Sequence, residues 1–118
     1  MENNHEALKQ RTKQFALRIL HLFQSLPKNE EGRIIGRQLL RTGTAVAANY
    51  RAVGRARSRA EFIAKMGIVA EETDEVAFWL ELIADGRSLP SPRLADLQKD
   101  DNELLPIFAA SQQTAKSH

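Results

Sequence analysis

"RIIGRQLLRTGTAVAANYRAV", residues 33–53, carries the clearest structural signal in this chain. When successive residues are placed about 100° apart, as in an α-helix, the apolar residues gather on one side and the arginines on the other. The apolar side holds Ile35, Leu39, Leu40, Val46, Ala47, Tyr50 and Val53. This separation predicts an amphipathic helix over about residues 30–53 with one side in a protein core.

A row of small residues runs along the apolar side of this predicted helix. Gly36, Gly43, Ala47 and Gly54 fall almost in line. A glycine inside a helix costs about 1 kcal/mol relative to alanine, so several in one row need a compensating gain. We therefore expect the backbone of another helix to approach closely here.

Three further helices are predicted on either side of this segment. Apolar residues at three- and four-residue steps place them at about residues 6–26, 59–85 and 92–115. Asn29 is a candidate N-cap for the second helix, and the Ser58/Glu61 pair has the spacing of a capping box before the third. Pro106 lies inside the fourth pattern, where we expect a kink or a break. Four helices with short connections predict an all-α, antiparallel up-down four-helix bundle.

Composition sets the class of protein. The 118 residues are 42% hydrophobic and 27% charged, which predicts a single domain over residues 1–118. The chain has no cysteine, which excludes disulfides, thiolate metal sites and a cysteine nucleophile. No apolar run reaches the length of a membrane span and the polar start does not resemble a signal peptide, so we expect a cytoplasmic protein without a membrane partner.

Charge is concentrated in two segments of a chain whose net charge is only +2. Residues 33–60 contain seven arginines, no lysine and no acid, whereas residues 71–85 contain six acids and no base. These arginines are candidate contacts for an anionic ligand, above all the phosphate backbone of RNA or DNA: Arg33, Arg37, Arg41, Arg51, Arg55, Arg57 and Arg59. The start of the third helix adds free N–H groups that also favour a phosphate.

A second explanation of the arginines needs no nucleic acid. They can instead form ion pairs with Glu71, Glu72, Asp74 and Glu75 of the same or a neighbouring subunit. Base recognition is not expected, because Tyr50, the only aromatic residue of the block, faces the predicted core and leaves no stacking platform.

Extra apolar residues lie among the acids of the third helix, outside its core stripe. A monomer would leave several of them exposed, which makes them candidate self-association anchors: Ile68, Phe78, Trp79 and Leu82. A broad core face that covers them, or capping by the C-terminal end of the chain, is the alternative.

No catalytic arrangement is recognisable in the sequence. The three histidines are isolated, Glu-x-x-His does not occur, and no nucleophile elbow or phosphate-binding glycine loop is present. We therefore expect no metal, no cofactor and no enzymatic activity.

The segment "QLLRTGTAVAANYRAVGRARSRAEFIAKMGIVAEETDEVAFWLELI" (38–83) resembles the bacterial 23S ribosomal RNA intervening-sequence proteins. The flanking "FALRILHLFQSLPKNE" and "NELLPIFAASQQTAKSH" are similar to the family's first and last helices, so the likeness covers about residues 12–116. The resemblance implies an up-down bundle that assembles into a ring-like homo-oligomer, a pentamer, with no established enzymatic activity. A similar bundle is the accessory protein of diversity-generating retroelements, thought to bind nucleic acid and a partner protein. Many members carry a glutamate shortly after the residue equivalent to Asn49; residues 50–54 contain no acid here.

Overall fold

The computed structural model describes residues 4–117. It consists of four α-helices: α1 (Asn4–Ser25), α2 (Glu30–Val53), α3 (Arg59–Asp85) and α4 (Ser91–Lys116). The described part of the chain contains no β-strand, so the predicted all-α four-helix bundle is confirmed. None of the helices in this part combines the length and the apolar character that a membrane span requires.

Local sequence signals define the starts of α2 and α3. The side-chain Oδ1 of Asn29 accepts a hydrogen bond from the backbone N of Gly32 at 2.8 Å, and the Oγ of Ser58 accepts one from the backbone N of Glu61 at 3.0 Å. Each cap satisfies a backbone donor that the first helical turn leaves unpaired. Both predicted N-caps are confirmed, which explains why these two helices begin where the sequence places them. The return half of the predicted capping box differs, because the carboxylate of Glu61 accepts from the backbone N of Arg57 and not from that of Ser58.

The helices pack in sequential order around one elongated core, with overall extents of 47 × 24 × 19 Å. Arg41 of α2 contacts Glu75 of α3, while Asn49, two turns later in α2, contacts Glu72. Since contacts move backward along α3 as they move forward along α2, the two helices are antiparallel. Every helix contributes fully buried side chains to the core, among them Phe15, Leu39, Val69 and Leu104.

The glycines of α2 are seated against side chains of α1. A Cβ added at Gly36 would lie 2.9 Å from Cδ1 of Phe23, and a Cβ at Gly43 would collide with the δ-methyl group of Ile19. The expectation of a closely approaching helix backbone is therefore wrong in its detail. The small residues make room for large α1 side chains, which recover the cost of the glycines through burial.

Helix α4 continues past Pro106 to Lys116, so the break, one of the two expected outcomes, is wrong, while the kink stays a prediction. Proline removes the N–H that would bond to the carbonyl of Asn102. Both residues lie on the exposed side of α4, where water can satisfy that carbonyl. The interior side of the helix, with Leu104 and Phe108 fully buried, keeps its packing.

The seam between α1 and α4 differs from the other three helix pairs, because these two helices make far fewer backbone-level contacts with each other. Charged side chains bridge them instead. The guanidinium of Arg11 donates from Nε to Asp100 at 3.0 Å and from Nη2 to Glu103 at 2.9 Å. Arg18 adds a 3.5 Å contact to the second oxygen of Asp100.

Candidate nucleic-acid interface

Helix α2 runs without interruption through Gly43, so its arginines share one side over the whole length of the helix. Arg33 and Arg51 are eighteen residues apart, which is five turns and about 27 Å. Arg37 and Arg41 lie between them within an arc of about 80° at ideal helix geometry. Arg55 and Arg57 follow in the α2–α3 connection, and Arg59 is the first residue of α3.

All seven candidate arginines are exposed, and three of them have partners within the chain. Arg41 donates to Glu75 and to Gln38, each at 2.9 Å. Arg57 lies 3.6 Å from a carboxylate oxygen of Glu61, and Arg33 donates to the carbonyl of Lys28 at 3.1 Å. Within residues 4–117 the side chains of the remaining four make no hydrogen bond or ion pair: Arg37, Arg51, Arg55 and Arg59. We refer to these four as the bare arginines.

The acidic segment of α3 pairs with few of these arginines. Glu75 is the one acid of residues 71–75 that forms an ion pair with them in the described part of the chain. Glu72 instead accepts a hydrogen bond from Nδ2 of Asn49 at 2.8 Å. The intramolecular form of the ion-pair explanation therefore accounts for Arg41 alone.

The start of α3 is less open to phosphate than its sequence suggested. Besides the Ser58 cap, the carboxylate of Glu61 accepts a hydrogen bond from the backbone N of Arg57 at 2.6 Å. This hydrogen bond, with help from the charges of Arg57 and Lys65, lowers the pKa of Glu61. A negative charge thus already occupies this helix end and competes with an incoming phosphate.

Exposed apolar side chains lie beside the basic side, on α3. Ile68, Phe78 and Leu82 are 48%, 51% and 38% exposed. Trp79 differs from these three, because it is half-buried and packs against the core. Its Nε1 donates to Glu75 at 3.0 Å and its ring meets that of Phe78 edge-on, with centroids 4.9 Å apart.

Ile34 extends this apolar surface onto α2, a contribution that the sequence analysis missed. It is 55% exposed, more than any other large apolar residue in the described chain. Ile34 lies seven residues before Arg41, and Leu82 lies seven residues after Glu75, so the antiparallel register puts both at one level. An isoleucine next to Arg33 on the polar side was the available signal. We call Ile34, Phe78, Trp79 and Leu82 the α2–α3 apolar patch.

One carboxylate is buried without a partner. Asp101 of α4 is 1% exposed, and neither of its side-chain oxygens has a hydrogen-bond partner within the described residues. Burial, with the charges of Asp74 and Asp100 nearby, raises the pKa of Asp101 to about 7. A polar cleft of about 300 Å³, lined by Glu81, Gln98 and Asn102, adjoins it. No group of three potential metal ligands converges anywhere in residues 4–117.

The comparisons with known proteins agree with this architecture. The family model described as "23S rRNA-intervening sequence protein" matches residues 5–110. A solved structure from Bacteroides thetaiotaomicron, described as a protein with unknown function from the S23 ribosomal protein family, is similar with a TM-score of 0.85 and 28% identity. The match covers 92% of this chain and 97% of that one. No curated protein matches the chain. Neither description mentions an enzymatic activity.

Proposed function

This chain belongs to the 23S rRNA-intervening sequence protein family, and we propose that it is a non-enzymatic, homo-oligomeric four-helix bundle that binds nucleic-acid backbone through its arginines. The observation that carries the proposal is the set of bare arginines, spaced along α2, the connection that follows it and the first residue of α3. The cytoplasmic location expected from the sequence stays a prediction.

The bare arginines form no ion pair or side-chain hydrogen bond that would stabilise the described part of the fold. An arginine placed for stability needs an acceptor, and Arg37, Arg51 and Arg55 have none within the described residues. Planar guanidinium groups match phosphate oxygens and bind them with two parallel hydrogen bonds. A straight row of about 27 Å approaches one turn of duplex, so several phosphates along one groove edge are within reach of a single subunit.

A salt titration tests this proposal. The affinity for a blunt RNA or DNA duplex is measured by fluorescence anisotropy over a range of salt concentrations, for the wild type and for the variant Arg37→Gln/Arg51→Gln/Arg55→Gln. Each phosphate contact contributes about 0.9 to the slope of log K against log salt, so the variant's slope is expected to be flatter by about 2.7. Near 0.1 M salt this corresponds to a loss of about 100-fold or more in affinity.

The control removes the same number of positive charges from other surfaces: Lys13→Gln/Arg87→Gln/Lys99→Gln. All three residues are exposed and form no ion pair within residues 4–117. The control is expected to keep most of the slope. Equal losses in the two variants would reduce the effect to net charge and overturn the proposed interface.

Self-association is proposed from the α2–α3 apolar patch. Large exposed apolar side chains grouped together, with aromatic rings among them, are typical of protein–protein contacts. The variant Phe78→Ser/Leu82→Ser is expected to shift the molar mass measured by light scattering toward that of one chain. Leu17→Ser is the matched control, because Leu17 on α1 is 37% exposed, close to the 38% of Leu82. A wild type that is monomeric at micromolar concentration would contradict the proposal.

A scaffold without nucleic acid is the second candidate, favoured by one specific observation. Glu71 and Asp74 of α3, like the bare arginines, form no ion pair within the described residues, so each surface carries what the other lacks. A ring built from two different surfaces of one chain would bring them together. In that case the triple arginine variant disperses the oligomer, and the wild type binds duplex weakly at every salt concentration.

A further inference from the structure

A cleft of about 700 Å³ opens at the end of the bundle where α1 begins and α2 ends. All four helices and the α2–α3 connection contribute to it, including His5, Tyr50, Ala56, Phe62 and Ser111. Its size lies in the range of small-molecule sites, and its walls are mainly apolar with a few polar groups. No ion pair or cap described above fills it.

Aromatic rings form one wall of this cleft. The ring of Tyr50 stacks on the imidazole of His5, with centroids 5.0 Å apart and planes inclined by 28°. Behind them Phe108 packs against Tyr50 at 5.5 Å, which holds the tyrosine ring in place. Tyr50 faces inward, as its position in α2 predicts, yet its ring reaches a cleft open to solvent. Tyr50 is thus on the core side, as predicted, and the ring that the cleft exposes is the half-buried imidazole of His5 stacked on it.

Arginines are the direct chain neighbours of several residues that line the cleft. Gly54, Ala56 and Ser58 line it, and they alternate in the chain with three exposed arginines: Arg55, Arg57 and Arg59. Arg51 lies one turn before Arg55, at the end of α2. Three of these four arginines are bare. The cleft therefore joins an aromatic, largely uncharged interior to the part of the interface that is richest in unsatisfied guanidinium groups.

We propose that this cleft binds one unpaired nucleotide of a nucleic acid, with the base against the His5–Tyr50 wall and its phosphates beside Arg55 and Arg59. This inference rests on the proposed nucleic-acid binding and adds that the bound nucleotide is unpaired. A base offers a flat apolar face with polar edges, and the amide of Asn4 and the hydroxyl of Ser111 at the cleft supply hydrogen-bonding groups for those edges. A base within a duplex is already stacked and paired and cannot enter, so the site selects single-stranded ends or tails.

The experiment compares a short blunt RNA duplex with the same duplex carrying an unpaired tail on one strand. Stacking of one base on aromatic side chains is expected to make the wild type bind the tailed duplex about tenfold more tightly, beyond the effect of the added phosphates. The Ser111→Phe variant fills the cleft without changing charge and is expected to lose this preference while keeping its affinity for the blunt duplex. Ala110→Phe, at the neighbouring exposed position of α4, is the control and keeps the preference.

A second measurement does not depend on a variant that folds. Adenosine monophosphate and ribose phosphate are added separately to the wild type, and the ring protons of His5 and Tyr50 are followed by NMR. Adenosine monophosphate is expected to shift the resonances of these ring protons, whereas ribose phosphate is expected to leave them unchanged.

Equal binding of blunt and tailed duplexes, with no shift of the ring protons, would overturn the cleft proposal and leave the arginine interface standing. Shifts caused by an uncharged apolar probe such as toluene, but not by the nucleotide, would also overturn it. A wild type that binds neither duplex at low salt would overturn the proposed function together with this inference.

Discussion

Two groups of arginines in this bundle differ in what surrounds them. At the α1–α4 seam, Arg11 and Arg18 converge on Asp100, and Arg11 also reaches Glu103. On α2, the following connection and the first residue of α3, four arginines of the same chemistry have no side-chain acceptor within the described residues. Arginine content alone therefore does not distinguish a structural role from a binding role. The availability of acceptors within the chain does.

The difference follows from where acids occur on the neighbouring helix. Asp100 faces α1 across a seam with few backbone-level contacts, and its hydrogen bond and charge raise the pKa of Arg11. Among the acids of α3 in the described chain, Glu75 alone pairs with an α2 arginine, while Glu72 accepts a hydrogen bond from Asn49. Paired arginines stabilise the bundle, whereas bare ones remain available to a ligand or a second subunit. Three substitutions test this contrast between partnered and unpartnered charges. The first is at Asp101, the buried carboxylate without a hydrogen-bond partner.

Asp101→Asn is expected to have the largest effect. The pKa of Asp101 is about 7 in the folded chain against an ordinary value of 3.8, so the folded state binds the proton more tightly. Stability is therefore highest below about pH 4, falls as the pH rises toward 7, and is constant above it. The neutral isostere removes this slope and raises the free energy of unfolding by up to about 4 kcal/mol at pH 8. Urea unfolding of the wild type and the variant between pH 4 and pH 8 measures the free energy of unfolding and its dependence on pH.

Asp96→Asn is the control for this prediction, because Asp96 is an exposed carboxylate of the same helix. It is expected to leave the pH dependence of stability unchanged. A wild type whose stability does not fall between pH 4 and pH 7 would show that Asp101 acquires a partner in solution.

Arg11→Gln is expected to have an intermediate effect. The substitution removes a two-carboxylate clamp between α1 and α4 and leaves Asp100 with the longer contact to Arg18. Because the Arg11 side chain is about one-third exposed, solvent screens part of the gain, and a loss of about 1 kcal/mol is expected. Lys13→Gln is the control, because Lys13 is exposed on α1 and has no ion pair in residues 4–117. It should change the free energy of unfolding by much less than Arg11→Gln does. Equal effects of the two substitutions would remove the distinction between paired and unpaired cations.

Arg37→Gln/Arg51→Gln/Arg55→Gln is expected to have the smallest effect on stability. None of the three side chains loses a partner within the described chain, so the free energy of unfolding should change by less than about 0.5 kcal/mol. Chemical denaturation at a protein concentration below that of assembly measures this. A loss as large as that of Arg11→Gln would mean that these arginines support the fold, which contradicts their assignment as bare.

The helices could be read from the sequence because their signals are local. The predicted bounds 30–53 and 59–85 coincide with α2 and α3, since Asn29 and Ser58 cap within their own first turns. The bounds 6–26 and 92–115 differ from α1 and α4 by one or two residues at each end. Pro106 misled the analysis because its effect depends on whether the freed carbonyl faces water, which only the packing of α4 decides.

The surfaces were harder to predict because they depend on residues distant in sequence. Ile34 joins Phe78 and Leu82 only through the register of α2 against α3. The cleft needs His5 from the beginning of the chain and Ser111 from near its end. The lack of a partner for the Arg37 side chain could not be read from composition either, since α3 is rich in acids and yet none of them pairs with it in the described chain.

The seating of Gly36 and Gly43 against Phe23 and Ile19 has a consequence for variation in this protein. Those contacts set the rotation of α2 about its own axis, and this rotation decides in which direction each guanidinium group on the helix points. A methyl group added at Gly43 would require either the side chain of Ile19 or helix α2 to shift, and a shift of α2 would redirect the cations on its outer side. Mutations at these concealed positions would then mimic loss of the outward-facing charges without removing any of them.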